Sequence, residues 1–165
     1  MTSPLNVVAQ EHTVTSGVQN PEGLAEALTD VLADSYRLMF KTHAYHWNVE
    51  GPLFFSLHKL TEEQYENLFA AADTLAERIR ALGQLAPSTM STVLSASIIK
   101  DLDEQPSAGE MCADLAADHA RVAHRFHALV ELAGKHSDAV TEDLATERSA
   151  FHEQAVWMLK AISAK

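Results

Sequence analysis

Two pairs of potential metal ligands lie within one predicted helix of this chain. His58 and Glu62 are four residues apart, so a helix places them one turn apart on the same face. Asp73 and Glu77 form a second pair with the same spacing. Imidazole and carboxylate ligands without a thiolate suit Fe(II), Mn(II) or Zn(II), and with open coordination positions they suit redox-active iron. These residue types therefore predict a metal site.

The two pairs are too far apart to bind one metal ion within a single chain. His58 and Asp73 are 15 positions apart (73 − 58), which is about 22 Å along a helix, whereas a metal–ligand bond is about 2 Å long. A second copy of the helix, lying antiparallel, would bring the first pair of one chain next to the second pair of the other. The spacing therefore predicts two identical sites related by a two-fold axis.

The apolar residues of this helix are expected on a different face from the potential ligands. On charge pattern alone, the ligand face would be an ordinary solvated face. However, Phe55 and Phe69 lie on it and indicate burial against a partner, and carboxylates buried at an interface need a cation. The predicted core stripe consists of Leu57, Thr61, Gln64, Leu68, Ala72, Leu75, Ile79 and Leu82.

His46 is a candidate third ligand from the preceding predicted helix. It lies almost in line with the apolar residues Leu28 and Met39, and a histidine in that setting is more often a hydrogen-bonded core residue than a ligand. Its position just before the Gly51-Pro52 turn, which brings the next helix alongside, favours the ligand interpretation. His43, one turn earlier, is expected to contact the ligands at most.

The composition predicts one acidic globular domain. The 165 residues are 47% hydrophobic, which is enough for a real core. No apolar run reaches membrane-spanning length and no signal peptide is expected, so a cytoplasmic protein is predicted. The single cysteine, Cys112, fits a reducing compartment and is interpreted as a small buried side chain. The formal charge of −11 favours cations over nucleic acid.

Hydrophobic periodicity predicts an all-α fold with four long helices. A flexible tail, residues 1–20, precedes a single domain of residues 21–165. The helices are expected to begin near residues 21, 54, 107 and 138, and the first three to end near 48, 82 and 134. The connection of residues 84–106, with a short helix around 92–99, can run the length of the bundle and leave the second and third helices parallel. This is the ferritin-like four-helix bundle with one long crossover.

The sequence contains no Glu-x-x-His motif. Two such motifs supply ligands to the usual di-iron site inside a ferritin-like bundle. The missing motif argues against that site and leaves the site between two chains as the leading hypothesis.

Several motifs together resemble the Dps family (DNA-binding protein from starved cells), which are small dodecameric relatives of ferritin. The resemblance covers about residues 22–163 and implies a hollow homo-dodecamer that oxidises Fe(II), preferably with hydrogen peroxide. It also implies storage of ferric mineral inside the shell, which protects the cell from oxidative damage. The matching motifs are His43-Ala-Tyr-His46-Trp47-Asn48-Val49, Gly51-Pro52, His58, Asp73-x-x-x-Glu77-Arg78 and Trp157-Met158-Leu159.

The resemblance implies a ferroxidase centre across a two-fold interface. Many members have aspartate where this chain has Glu62, whose longer arm still reaches the site. Zn(II) and Mn(II) are expected competitors for it. The implied ligands are His46, His58 and Glu62 of one subunit with Asp73 and Glu77 of the other.

Trp47 and three acidic residues have further implied roles. Trp47 would lie close to the centre, either as an electron donor that quenches radicals or as interface packing. Asp138, Asp143 and Glu147 resemble the acids that line iron-entry pores at the three-fold axes, where negative charge would concentrate Fe(II). An acidic first helical turn explains Asp138 and Asp143 nearly as well.

DNA binding is not expected from this chain despite the family name. Residues 1–19 contain no Lys or Arg, and twelve chains would carry 12 × −11 = −132 charges. The alternative function is a DNA-compacting nucleoid protein with a vestigial metal site, which would add nucleoid association to the cytoplasmic location. A third hypothesis is a helical partner-binding scaffold.

Overall fold

The computed structural model describes residues 4–164 and is helical throughout its ordered elements. Four long helices and one short helix form the fold, which confirms the predicted ferritin-like bundle with a short helix in the middle connection. A 3-10 turn at Pro4–Asn6 precedes them. The helices are α1 (Pro21–Asn48), α2 (Phe54–Ala81), α3 (Met90–Ala96), α4 (Ala108–Lys135) and α5 (Ala139–Ile162).

Local side-chain chemistry sets the helix ends. Asn20 caps α1 by accepting a hydrogen bond from the backbone N–H of Gly23, with Pro21 at the first helical position. Ser107 and Glu110 form the predicted capping box at the start of α4. After α2, Gly83 takes a φ of +87°, in the left-handed region that favours glycine.

Ion pairs between α1 and α4 show the relative direction of these two helices. Arg125 of α4 contacts Asp34 of α1 at 2.7 Å, and Lys41 of α1 contacts Asp118 of α4 at 2.6 Å. Residue numbers rise along α1 while their partners' numbers fall along α4, so these two helices are antiparallel. The short link 49–53 makes α1 and α2 antiparallel as well. The helices α2 and α4 are therefore parallel, as the crossover requires.

The core lies between the four long helices. All eight positions of the predicted α2 stripe are buried, including the polar Thr61 and Gln64. Cys112 is also fully buried, as predicted, and burial raises the pKa of its thiol. No helix within residues 4–164 is long and apolar enough to span a membrane.

Two backbone hydrogen bonds hold the described part of the N-terminal tail against the bundle. The N–H of His12 donates to the carbonyl of Gly83 at 2.8 Å, and the N–H of Gln19 donates to the carbonyl of His136 at 2.8 Å. The flexibility of residues 1–20 stays a prediction. The structure shows that this segment runs past the ends of both α2 and α4.

Candidate metal centre

His46 and His58 lie face to face where α1 ends and α2 begins. Their rings stack with centroids 3.7 Å apart and an interplanar angle of 18°. Each ring also binds the other residue's backbone: His46 Nδ1 lies 2.8 Å from His58 O, and His58 Nδ1 lies 2.9 Å from His46 O. The turn at Gly51, with a φ of +86°, allows the short link that brings the two rings together.

These hydrogen bonds determine which ring nitrogen can bind a metal ion. A backbone carbonyl only accepts, so the Nδ1 atoms of His46 and His58 must both carry the proton. In the neutral rings the lone pair then resides on Nε2. A metal-binding histidine is usually oriented by a hydrogen bond that its other ring nitrogen donates, for example to a backbone carbonyl. The cross-bonded pair therefore offers two Nε2 ligands in fixed orientations.

Glu62 lies one turn after His58 and is partly exposed. Its carboxylate accepts a hydrogen bond from Lys59 Nζ at 2.7 Å. This hydrogen bond and the charge of Lys59 lower the pKa of Glu62, and His46 and His58 lower it further. The carboxylate is thus within electrostatic reach of both imidazoles. Because its ion pair with Lys59 is exposed and weak, a metal ion can compete for Glu62.

Asp73 and Glu77 are exposed further along α2. Since α2 is a continuous helix, Asp73 is about 22 Å along it from His58. Within residues 4–164, no three His, Cys, Asp or Glu side chains are arranged to hold a metal ion. The structure thus brings His46 and His58 together, keeps Glu62 one turn away, and leaves the other acidic pair separate.

Asp73 lines an apolar groove on the outer surface of the subunit. The groove has a volume of about 750 Å³ and is open to solvent, and Tyr36, Phe69 and Met90 also line it. The side chain of Phe69 is 60% exposed, which agrees with its predicted position on the outward face of α2 that carries the potential ligands. An exposed apolar groove of this kind is typical of a surface that contacts another molecule, and here it lies next to the carboxylate of Asp73.

Aromatic side chains surround the histidine pair. His43 lies between Trp47, at a centroid distance of 4.1 Å, and Tyr65, at 4.0 Å. Tyr65 also meets His46 edge-on at 5.3 Å, and Phe54 stacks on His58 at 5.0 Å. Neither Tyr65 nor Phe54 was among the residues predicted from the sequence to lie at this site. The contact between Phe54 and His58 could have been predicted, because residues four apart are neighbours on one face of a helix.

The three predicted pore residues differ in their surroundings. Asp138 is 1% exposed, pairs with Arg78 at 2.6 Å and caps α5 by accepting from the N–H of Thr141 at 3.0 Å. Burial alone would raise the pKa of Asp138, but the hydrogen bonds from Arg78 and Thr141 outweigh it and lower that pKa. In the subunit Asp138 therefore has the helix-capping role. Asp143 and Glu147 are both exposed.

Comparison with known proteins identifies the family. A family model described as a ferritin-like domain matches residues 25–165. An uncharacterised low temperature-induced protein of Nostoc sp. is 39% identical over 142 residues, covering 85% of this chain and 79% of the relative. The DNA protection during starvation protein of Helicobacter pylori is 34% identical over 137 residues, covering 82% of this chain and 95% of the relative.

A solved structure agrees with these sequence matches. The crystal structure of a Dps protein from Vibrio cholerae superimposes with a TM-score of 0.81 at 32% identity, covering 94% of this chain and 98% of that one. That protein is described as a member of a broad superfamily of ferritin-like diiron-carboxylate proteins. The chain therefore belongs to the Dps family of the ferritin-like superfamily, as its motifs predicted.

Proposed function

We propose that this protein is a ferroxidase and iron store of the Dps type, with Fe(II) as its substrate. Membership of the family supports iron oxidation and storage in general terms. The observation that carries the specific proposal is the cross-bonded pair His46 and His58, whose Nδ1 atoms are both engaged and whose Nε2 atoms are left to bind a metal ion next to Glu62. This arrangement is half of an iron site.

The other half comes from a second subunit. Asp73 and Glu77 are too far along α2 to join the histidines of their own chain. An antiparallel copy of α2 would place Asp73 and Glu77 of the partner subunit opposite His58. The open apolar groove beside Asp73 would then be covered by the same contact, which supplies a hydrophobic reason for the two subunits to associate.

The donor set suits the oxidation of iron. Two ferrous ions each give one electron to hydrogen peroxide, which takes up two protons and leaves as two water molecules. Carboxylates from both subunits would offset the charge that iron gains on oxidation, while neutral imidazoles hold it without adding charge. Zn(II) and Mn(II) favour similar ligands and would compete.

Trp47 has two possible roles beside this site. Its indole contacts His43 and is 57% exposed in the single subunit. It could supply an electron when only one ferrous ion is bound, or it could pack against the partner subunit. Radical detection in a Trp47→Phe variant separates the two, because phenylalanine keeps the packing and is much harder to oxidise.

The proposed assembly is a hollow homo-dodecamer in the cytoplasm that stores ferric mineral and protects the cell from oxidative damage. The proposed iron entrance includes Asp138, Asp143 and Glu147. The exposed carboxylates of Asp143 and Glu147 would supply the negative field that concentrates Fe(II). Asp138, paired with Arg78, would act mainly by fixing the start of α5.

Subunit mixing tests the two-chain site directly. His58→Ala and Asp73→Ala are each expected to oxidise Fe(II) slowly after a peroxide pulse, followed by ferric absorbance. When the two variants are co-expressed, about half of the two-fold pairs contain one of each, and each mixed pair regains one intact site of its two. The mixture should therefore recover about a quarter of the wild-type sites.

The controls separate loss of chemistry from loss of structure. Glu63→Gln removes a neighbouring exposed carboxylate of α2 and should oxidise iron at the wild-type rate. A sizing column checks that every sample remains a particle of about twelve chains. If the mixture stays as slow as either variant alone, His58 and Asp73 do not complement each other across two chains and the proposal is wrong.

DNA compaction is the second candidate function, because the Helicobacter pylori relative is named a DNA protection protein. The net charge of −11 and a tail of residues 1–19 without Lys or Arg argue against it. We expect no retardation of duplex DNA at about 0.15 M salt. Retardation that survives at that salt concentration would establish this candidate and nucleoid association with it.

A further inference from the structure

Arg148 is a buried cation without a carboxylate partner. Its side chain in α5 is 4% exposed, and among residues 4–164 no acidic group lies within ion-pair distance of it. One nitrogen, Nη1, donates to Asn67 Oδ1 of α2 at 2.7 Å. The guanidinium also lies over the ring of Phe151, with Cζ 4.2 Å from the centroid. Neither contact neutralises the charge.

The remaining two donors of Arg148 point to an anion. Nε and Nη2 are buried, and no group within the described chain accepts a hydrogen bond from them. Together they form the side edge of the guanidinium, which binds anions through two parallel hydrogen bonds. Because both atoms are already buried in the single subunit, a neighbouring copy cannot reach them. Their partner must lie inside the bundle.

The buried surroundings of Arg148 add hydrogen-bond donors, whereas the carboxylate of Glu147, which acts on the charge of Arg148, is exposed. His152 lies one turn later on α5, and its Nδ1 is 2.8 Å from Nδ1 of His119 on α4. Burial lowers the pKa of both imidazoles, and the charge of Arg148 lowers both further. Since one Nδ1 must donate to the other, the accepting neutral ring carries its proton on Nε2, where it has no partner.

Gln64 adds another unsatisfied polar group at this level of the bundle. It lies on α2 one turn before Asn67, which contacts Arg148, and both atoms of its buried amide lack a partner within the described chain. A buried polar group without a partner is costly. Arg148, His119, His152, Gln64 and Asn67 therefore form a polar layer across the bundle. This layer has one net positive charge, and it contains more hydrogen-bond donors than the described chain provides acceptors for.

We propose that the Nε and Nη2 edge of Arg148 binds a small monovalent inorganic anion inside the bundle, between α2, α4 and α5. One negative charge balances the single guanidinium, because the adjacent imidazoles are neutral. The enclosed position, between helices packed around the core, favours an ion of the size of a halide. The anion would stabilise each subunit independently of any iron chemistry at the subunit interface.

The direct test uses bromide with the wild-type protein. Crystals grown in sodium bromide should give an anomalous peak within hydrogen-bond distance of Nε and Nη2 of Arg148 in every subunit. A water without anomalous signal at that place would overturn the proposal. Bromide peaks confined to surface positions, an adventitious ion only, would overturn it as well.

A solution test checks the same site by substitution. At constant ionic strength, bromide replaces gluconate, a much larger organic anion, while thermal unfolding is followed. The midpoint should rise by about 3–5 °C for each tenfold increase of bromide above its Kd. Arg148→Met should lose this dependence, whereas Arg37→Met, which removes an arginine paired with Asp101, should keep it. Equal dependence in both variants would refute the proposal, and if Arg148→Met does not fold, the bromide crystal decides.

Discussion

The buried histidines His119 and His152 make stability depend on pH. Both side chains are fully buried. Burial, and then the charge of Arg148, lower the pKa of His119 to about 3. Burial lowers the pKa of His152 well below its ordinary value, with contributions from His119 and Arg148. In the unfolded chain both should titrate near 6.5.

The sign and size of the effect follow from these pKa values. Because the folded-state pKa is the lower one, the unfolded chain binds protons first as the pH falls. The free energy of unfolding is therefore independent of these groups above about pH 6.5 and decreases below it, until the folded protein also binds protons near pH 3. Each imidazole contributes a slope of about 1.4 kcal/mol per pH unit. Between pH 6.5 and 5.0 each removes about 2 kcal/mol.

Urea unfolding of a His119→Gln variant measures this contribution. At a fixed protein concentration, the free energy of unfolding of the variant should fall by about 2 kcal/mol less than that of the wild type between pH 7.5 and 5.0, and nearly all of this difference should arise below about pH 6.5. His127→Gln is the matched histidine-to-glutamine control at an exposed position, where the side chain contacts Glu153. Other titrating groups are common to all three proteins. Equal slopes for His119→Gln and the wild type would refute the reasoning.

Two further substitutions test the fold. Lys41→Met removes a buried cation that pairs with Asp114 and with the fully buried Asp118, which keeps Arg121 as a partner. The free energy of unfolding should therefore fall by about 1–3 kcal/mol in urea titration, and no measurable loss would contradict the assigned burial. Gly83→Ala would place a Cβ 2.0 Å from the carbonyl oxygen of His12, at a residue whose φ is +87°. The N-terminal tail should therefore detach from the bundle, so that a protease cleaves the tail faster while the helical circular dichroism of the protein is unchanged. Gly109→Ala, whose Cβ would meet nothing within 4 Å, should leave cleavage unchanged.

Local patterns were sufficient to predict the helices and their order. The capping box of Ser107 and Glu110 and the glycine after α2 are signals carried by adjacent residues, and the structure has both. The core stripe of α2 follows from helical periodicity alone, and all of its predicted positions are buried. The parallel arrangement of α2 and α4 followed from the lengths of the connections.

Contacts between distant residues were not predictable from the same patterns. The resemblance of Asp138 to a pore residue, and its position in an acidic first helical turn, do not show that Arg78, 60 positions earlier, pairs with it. Nor does the spacing of His46 and His58 show that each ring binds the other's carbonyl. The attachment of the tail at Gly83 uses backbone groups only, so side-chain patterns carry no trace of it.

The distribution of charge explains why the proposed iron site lies outside the bundle. The polar level in its interior combines neutral imidazoles with the uncompensated guanidinium of Arg148, so a divalent cation there would meet positive charge and no carboxylate. On the outer face of α2, by contrast, Glu62, Asp73 and Glu77 provide negative charge that no buried cation neutralises. In the proposed site, association of two subunits would bring the carboxylates of Asp73 and Glu77 to the histidines and Glu62 of the partner subunit. The proposed iron oxidation would then require assembly, whereas the proposed anion binding at Arg148 should survive in a single subunit.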